Sequence, residues 1–362
     1  MKKTLVALAA LAAASAFAQS TVGIKGTFDP SLMNQVTTFG DNAVRATTGL
    51  SNNSQGTSQV TFFGTEDLGG GLKANFLLEN DFNATTDAKG NWGNYSNGGE
   101  TYVGLSGNFG AFQLGAPNSP SLDVSGRSSF GTKIGSGFST TQGVGTQGFG
   151  HVRENNQIVY TSPTINGLTF KAAVAGKTTA GVAGNVNGDA VTAANSKEDI
   201  GLTYVNGPLK AVVANYKQEG KYKQTHGYVS YTYGQLTATY GFNNDNRVAA
   251  QGSSAIVAGA ASQFAAVGAK PALAAGKLSG SNVNVAYAMG ATTLMANWGK
   301  LDDKTTDNFD TKITAIGAKY DLSPRTSVYA RHVKYTTDNL TSTQLMFAKE
   351  QKSLIVGMQH NF

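Results

Sequence analysis

Val22-Gly23-Ile24-Lys25-Gly26-Thr27-Phe28-Asp29 sorts its side chains by parity: Val22, Ile24 and Phe28 share one side, and Lys25, Thr27 and Asp29 share the other. A period of two puts successive side chains on opposite faces of a strand. Leu72, Ala74, Phe76 and Leu78 repeat the pattern against Lys73, Asn75 and Glu79, and Leu168–Ala172 repeats it again. Such strands fit a sandwich or a barrel, and the connections separate the two. Tight connections fall around Asp67–Gly71, Gly107–Gly110, Ser162–Gly167, Asn206–Pro208, Tyr233–Gln235, Met289–Ala291 and Asp321–Arg325. Longer or more polar ones fall at about 30–56, 82–99, 117–153, 176–196, 218–222, 243–280, 301–308 and 336–349. Short and long alternate, and these fifteen connections join sixteen strands. Strands running up and down then gather the short turns at one rim and the long loops at the other, as in a transmembrane antiparallel β-barrel with short periplasmic turns and long external loops.

Composition agrees. Gly is 45 of 362 residues, Pro only 7, and Cys is absent, which removes thiolate metal sites, disulfides and thiol nucleophiles together. Beyond residue 18 no run reaches the roughly 18 to 20 apolar residues of a spanning helix. Ala255–Ala275 comes nearest and is broken by Ser262, Gln263, Lys270 and Pro271. Lipid satisfies no backbone hydrogen bond, so without helices only a closed sheet can cross a bilayer. The formal charge is +6, including Lys2 and Lys3, with no clustered Lys/Arg stripe, so no nucleic-acid partner is expected.

Lys2-Lys3, the apolar run Leu5–Ala14 and Ala16-Phe17-Ala18 have the layout of a secretory signal peptide over 1–18, leaving 19–362 as the barrel domain. The last strand alternates to Phe362, with Val356, Met358, His360 and Phe362 on one face and Gly357, Gln359 and Asn361 on the other. Phe362 then lies on the lipid face at the periplasmic rim, where an aromatic girdle is expected.

Five blocks carry a resemblance: "TEDLGGGLKANFLLEND" (Thr65–Asp81), "VGLSGNFGAFQLG" (Val103–Gly115), "RENNQIVYTSPTINGLTFKAAVAG" (Arg153–Gly176), "AKYDLSPRTSVYA" (Ala318–Ala330) and "VGMQHNF" (Val356–Phe362). In this order and register they resemble the trimeric general porins of β-proteobacteria over essentially the whole mature chain. The resemblance implies sixteen strands, a homotrimer in outer-membrane lipid and lipopolysaccharide, and a third external loop folded into the lumen as the constriction. It also implies that Phe362 serves as the signal read by the barrel assembly machinery, with small hydrophilic solutes and ions as cargo and no cofactor or metal.

Ala116–Val152 fits the inward loop, with charges Asp123, Arg127 and Lys133, and Arg153 follows at the next strand, where the family pattern also has Arg. A loop this long without structure of its own is usually functional. Lys25 and Arg331 are expected at mid-height in the lumen, Lys73 and Lys171 nearer the periplasmic end. A narrow low-dielectric pore focuses the field of such charges. Where the family often carries Arg, this chain has Gln59, Gly99 and Ala116, and its third loop is Gly- and Ser-rich where the family has an acidic Pro-Glu-Phe-like element. The expectation is therefore a passive diffusion porin with a weak preference for anions. A substrate-selective porin and a non-conducting adhesin or receptor barrel are the alternatives.

Catalytic readings are weak. Gly143-Val144-Gly145-Thr146-Gln147-Gly148 imitates a dinucleotide fingerprint without a following helix, and His151, His226, His332 and His360 lack metal-ligand spacing. No spacing pairs His226 or His332 with a nucleophile, so the chain is not expected to be an enzyme. Trp92, Trp298, Tyr320 and Tyr329 are expected at rims or on lumen walls.

Overall fold

The structure, a computed structural model, describes residues 20–39, 42–85, 99–124, 128–131, 135, 153–176, 196–220, 222–248, 275–305, 310–338 and 348–362. The expectations for the signal-peptide segment 1–18, Trp92, Arg127, Lys133, the glycine-rich motif at 143–148, His151 and residues 255–274 of the Ala-rich stretch lie outside the described residues.

Eighteen strand segments form one sheet: β1 (Thr21–Phe28), β2 (Pro30–Phe39), β3 (Val44–Asn52), β4 (Gln59–Gly69), β5 (Leu72–Asp81), β6 (Thr101–Gly107), β7 (Gly110–Ala116), β8 (Gln157–Thr161), β9 (Leu168–Ala175), β10 (Lys197–Asn206), β11 (Leu209–Gln218), β12 (Tyr222–Tyr233), β13 (Leu236–Arg247), β14 (Gly276–Met289), β15 (Thr292–Asp303), β16 (Thr311–Asp321), β17 (Thr326–Thr337) and β18 (Ala348–Asn361). Each pairs antiparallel with its neighbours, and pairings of β9 with β10 and of β18 with β1 and β2 close the ring. The segments make sixteen crossings. β1 and β2 are halves of one crossing broken at Asp29, and β3 and β4 are halves of the next, separated by residues 53–58.

The seven tight connections stand where the sequence places them. At Asn166-Gly167 both residues have positive φ, 50° and 82°, between the paired Ile165 and Leu168, which is a hairpin turn whose twist matches its strands. The expected loop over 30–56 is instead largely strand, β2 and β3. Its outward face, Leu32, Asn34, Val36 and Thr38, is only half apolar, and its inward face includes Met33, so the hydrophobic contrast that announces a strand is weak there.

Parity divides the wall. Ile24, Leu78, Leu114, Ile200, Ile316, Leu354 and Val356 are exposed on the outer face, while Gln35, Asp199, His226, Asn282, Asn297 and Arg331 are buried on the inner one. This inverts a soluble barrel and leaves apolar side chains for lipid. Phe109, Phe112, Tyr231, Tyr233, Tyr287 and Tyr320 are exposed near the short turns and form an aromatic girdle. Trp298 and Tyr320 are outward, whereas Tyr329 is buried on the inner wall. Phe362 completes the seam: its backbone N–H donates to the Gly26 carbonyl at 3.0 Å, and its ring lies 6.1 Å from that of Phe28.

Candidate functional site

A barrel of about sixteen strands is too wide for its side chains to fill, so whatever narrows the lumen must come from a loop. The connection after β7 supplies one. Its helical turn Pro120–Asp123 packs against β9, β10 and β11, and Gly201 in the inner wall leaves room for Pro120, whose Cβ would stand 2.8 Å from any Cβ added there. The Ser121 N–H donates to Asp199 Oδ2 at 2.8 Å, Ser121 Oγ lies 3.0 Å from His226 Nε2, and Val124 packs on Val212, Ala214 and Tyr228. Further along, Ser129 donates through N–H and Oγ to Asn284 Oδ1 at 3.1 and 3.0 Å, and Asn297 Nδ2 donates to the Gly135 carbonyl at 2.9 Å. Phe130 enters an apolar cluster with Met33, Ile313, Tyr329, Val333 and Ile355. The described part of the loop therefore runs along the inner wall from β9 to β17.

His226 does meet a serine, a pairing that spacing alone did not reveal. Both side chains are buried, and Asp199 accepts from the Ser121 backbone, so the contact fastens the loop.

Arg331, expected as an open lumen charge, is also a fastener. It is 1 % exposed, donates to the Ser54 and Phe130 carbonyls at 2.8 and 2.9 Å and to Gln55 Oε1 at 2.9 Å, and lies over the Phe130 and Tyr329 rings. Asp29, in the strand break, accepts from the Gln55 and Gly56 N–H groups at 2.6 and 2.8 Å and from the Tyr329 hydroxyl. Residues 53–58 are thus folded inward and tied to both the loop and the wall. Sequence reasoning missed Asp29, Gln55, Asp199 and Glu79. Asp29-Pro30 inside an alternating run was the available signal, since Pro cannot donate to a ladder.

The remaining expected residues separate by partner. Arg153 Nη1 lies 3.7 Å from Glu79 Oε1, and Lys171 Nζ lies 3.3 Å from Asp123. Glu79 also accepts from Gln59 Nε2 at 2.6 Å. Lys25 is exposed on the inner wall with its Nζ 5.5 Å from the Phe63 ring centroid, and among the described residues no carboxylate is within salt-bridge distance of it. Lys25 pairs across to Thr61 and Thr61 to Glu79, so Lys25, Glu79 and Arg153 lie along one band of the wall.

Comparison with known proteins gives both a family and a fold. The family model described as Gram-negative porin matches residues 4–340. An outer membrane porin protein of Bordetella pertussis is 28 % identical over the full length of both chains, and outer membrane porin protein 32 of Delftia acidovorans is 36 % identical over 58 % of each. Among solved structures, an anion-selective porin from Comamonas acidovorans superposes with a TM-score of 0.68 at 23 % identity, over 95 % of this chain and all of that one. Salmonella typhi OmpF gives 0.64 at 12 %, over 94 % and 97 %.

Proposed function

The chain belongs to the Gram-negative porins, and from that premise we propose that this outer-membrane channel has a constriction made by the loop after β7 and a weak preference for anions. It is a porin for passive diffusion, and its family and fold are those of a channel. The supporting observation for the selectivity is the pairing pattern on the inner wall. Arg153, Lys171, Lys197 and Arg247 each stand beside a carboxylate, Glu79, Asp123, Glu154 and Asp245, and a close ion pair projects little net field into water. Among the described residues Lys25 has no carboxylate within salt-bridge distance, so the preference is for anions and is small. Arg127 and Lys133 belong to the same loop and add to it.

Export through the segment 1–18, recognition of Phe362 by the assembly machinery, association with lipopolysaccharide and a homotrimeric state complete the proposal. The trimer is supported by strand length: β6, β7 and β8 have only 7, 7 and 5 residues, fewer than the roughly 9 to 11 with which a strand crosses a bilayer on its own.

The test is the reversal potential of the refolded protein in a planar bilayer across a salt gradient. The wild type should give a small potential of chloride-selective sign, and Lys25→Glu should move it toward the cation side. A potential that Lys25→Glu leaves in place removes Lys25 from the site.

A further inference from the structure

The exposed apolar side chains of the strands point outward with few exceptions, and Phe63 is the aromatic exception. It pairs across the ladder with Gly23 and Leu77, shares the parity of Thr61, and is 38 % exposed on the inner wall. Among the described residues of that wall no other aromatic is exposed, and Tyr216, Tyr228, Tyr329 and Tyr335 are buried. Gly23 makes room for the ring, since a Cβ added there would stand 2.5 Å from Phe63 Cζ. Covering a strand glycine explains where the ring lies and leaves unexplained the area it presents to the lumen.

Phe63 heads a row. Leu77 pairs with Phe63 and Tyr102 with Leu77, so three inward apolar side chains on β4, β5 and β6 stand directly opposite one another across the ladder. Side chains so paired are in reach of each other, and Leu77 and Tyr102 are half-buried, which makes the row a strip on the wall. The adjoining inward row, two residues along each strand and about 7 Å away, is Lys25, Thr61 and Glu79. Lys25 Nζ lies 5.5 Å from the Phe63 ring centroid, and among the described residues it has no carboxylate within salt-bridge distance. Glu79 is engaged by Arg153 at 3.7 Å and by Gln59 Nε2 at 2.6 Å. The strip is thus bordered by an available ammonium group and by a carboxylate whose charge is already balanced.

A solute that uses both rows carries a flat apolar body with one negative charge at its edge. Its ring gains offset or edge contact with Phe63 and Tyr102, and its anionic end meets Lys25 against a low-dielectric wall, where a charge contact is stronger than in bulk water. A small aliphatic anion gains nothing from the strip, and a neutral aromatic gains nothing from Lys25. We propose that Phe63, Leu77, Tyr102 and Lys25 form a binding subsite for small aromatic carboxylates on the inner wall. The proposal rests on the channel reading and names a solute class for it.

The experiment titrates benzoate against the single-channel current of the refolded protein in a planar bilayer at neutral pH, with acetate and benzamide as the charge without the ring and the ring without the charge. Benzoate should reduce the current saturably, at concentrations where acetate and benzamide do not. Its half-blocking concentration should rise about five-fold in Phe63→Thr and in Lys25→Gln, each read against that variant's own unblocked current. Equal block by acetate reduces the site to its charge and overturns the proposal, and so does a half-blocking concentration that Phe63→Thr leaves unchanged. Should Phe63→Thr fail to fold, Phe63→Leu, which keeps an apolar body and loses the ring, decides in its place. Calorimetric titration of the same folded protein in detergent separates the two readings. A barrel that binds benzoate without conducting sinks the channel and keeps the subsite, and a conducting barrel that neither binds benzoate nor is blocked by it does the reverse.

Discussion

Lys25 and Arg331 are both cations on the inner wall, and their surroundings give them opposite work. Arg331 directs its donors at carbonyls and is covered by Phe130, whereas Lys25 stands in the open beside an aromatic ring. Residue parity predicts the wall each faces and nothing more. At this scale the pairing argument makes a signed prediction. Glu79→Gln releases Arg153 and Asp123→Asn releases Lys171, so each should raise chloride preference in the reversal potential, in the direction opposite to Lys25→Glu. A shift of either variant toward the cation would show that the partner cation is not exposed to permeating ions.

The element whose placement governs the lumen is the loop after β7, and it is fixed by packing as well as by hydrogen bonds. Phe130 is fully buried in its cluster. Truncating a buried Phe to Ala costs about 3–5 kcal/mol. Here that loss falls on the docking of the loop, because the strand ladders do not pass through Phe130. Phe130→Ala should therefore give a larger and noisier single-channel conductance with little change in the thermal unfolding of the barrel. An unaltered conductance would mean that the Ser121, Ser129 and Gly135 contacts hold the loop unaided. The strand break at Asp29 and the inward fold of 53–58 belong to the same device, since Arg331 binds Ser54, Gln55 and Phe130 together.

For the whole molecule, the apolar outer belt and polar inner wall require a bilayer around the barrel and water within it. Ile316 is the middle residue of β16 and 63 % exposed, so Ile316→Arg should destabilise the folded barrel in lipid by about 2–4 kcal/mol, read from reversible unfolding in vesicles. A neutral result would place that strand away from lipid. The sequence by itself determined the strands, their alternation of face, the short and long connections and hence a sixteen-crossing barrel, because period two and turn chemistry are local properties of the chain. It misjudged 30–56, where the contrast between faces is slight. It identified Arg153 and Lys171 as inner-wall cations and did not identify their partners Glu79 and Asp123 as neutralising them. Only the tertiary structure decided that Arg331 is a bolt and that Ser121 meets His226. Those facts depend on which residues the closed ring and the returning loop bring together across more than 100 positions of chain, and no local pattern carries that information.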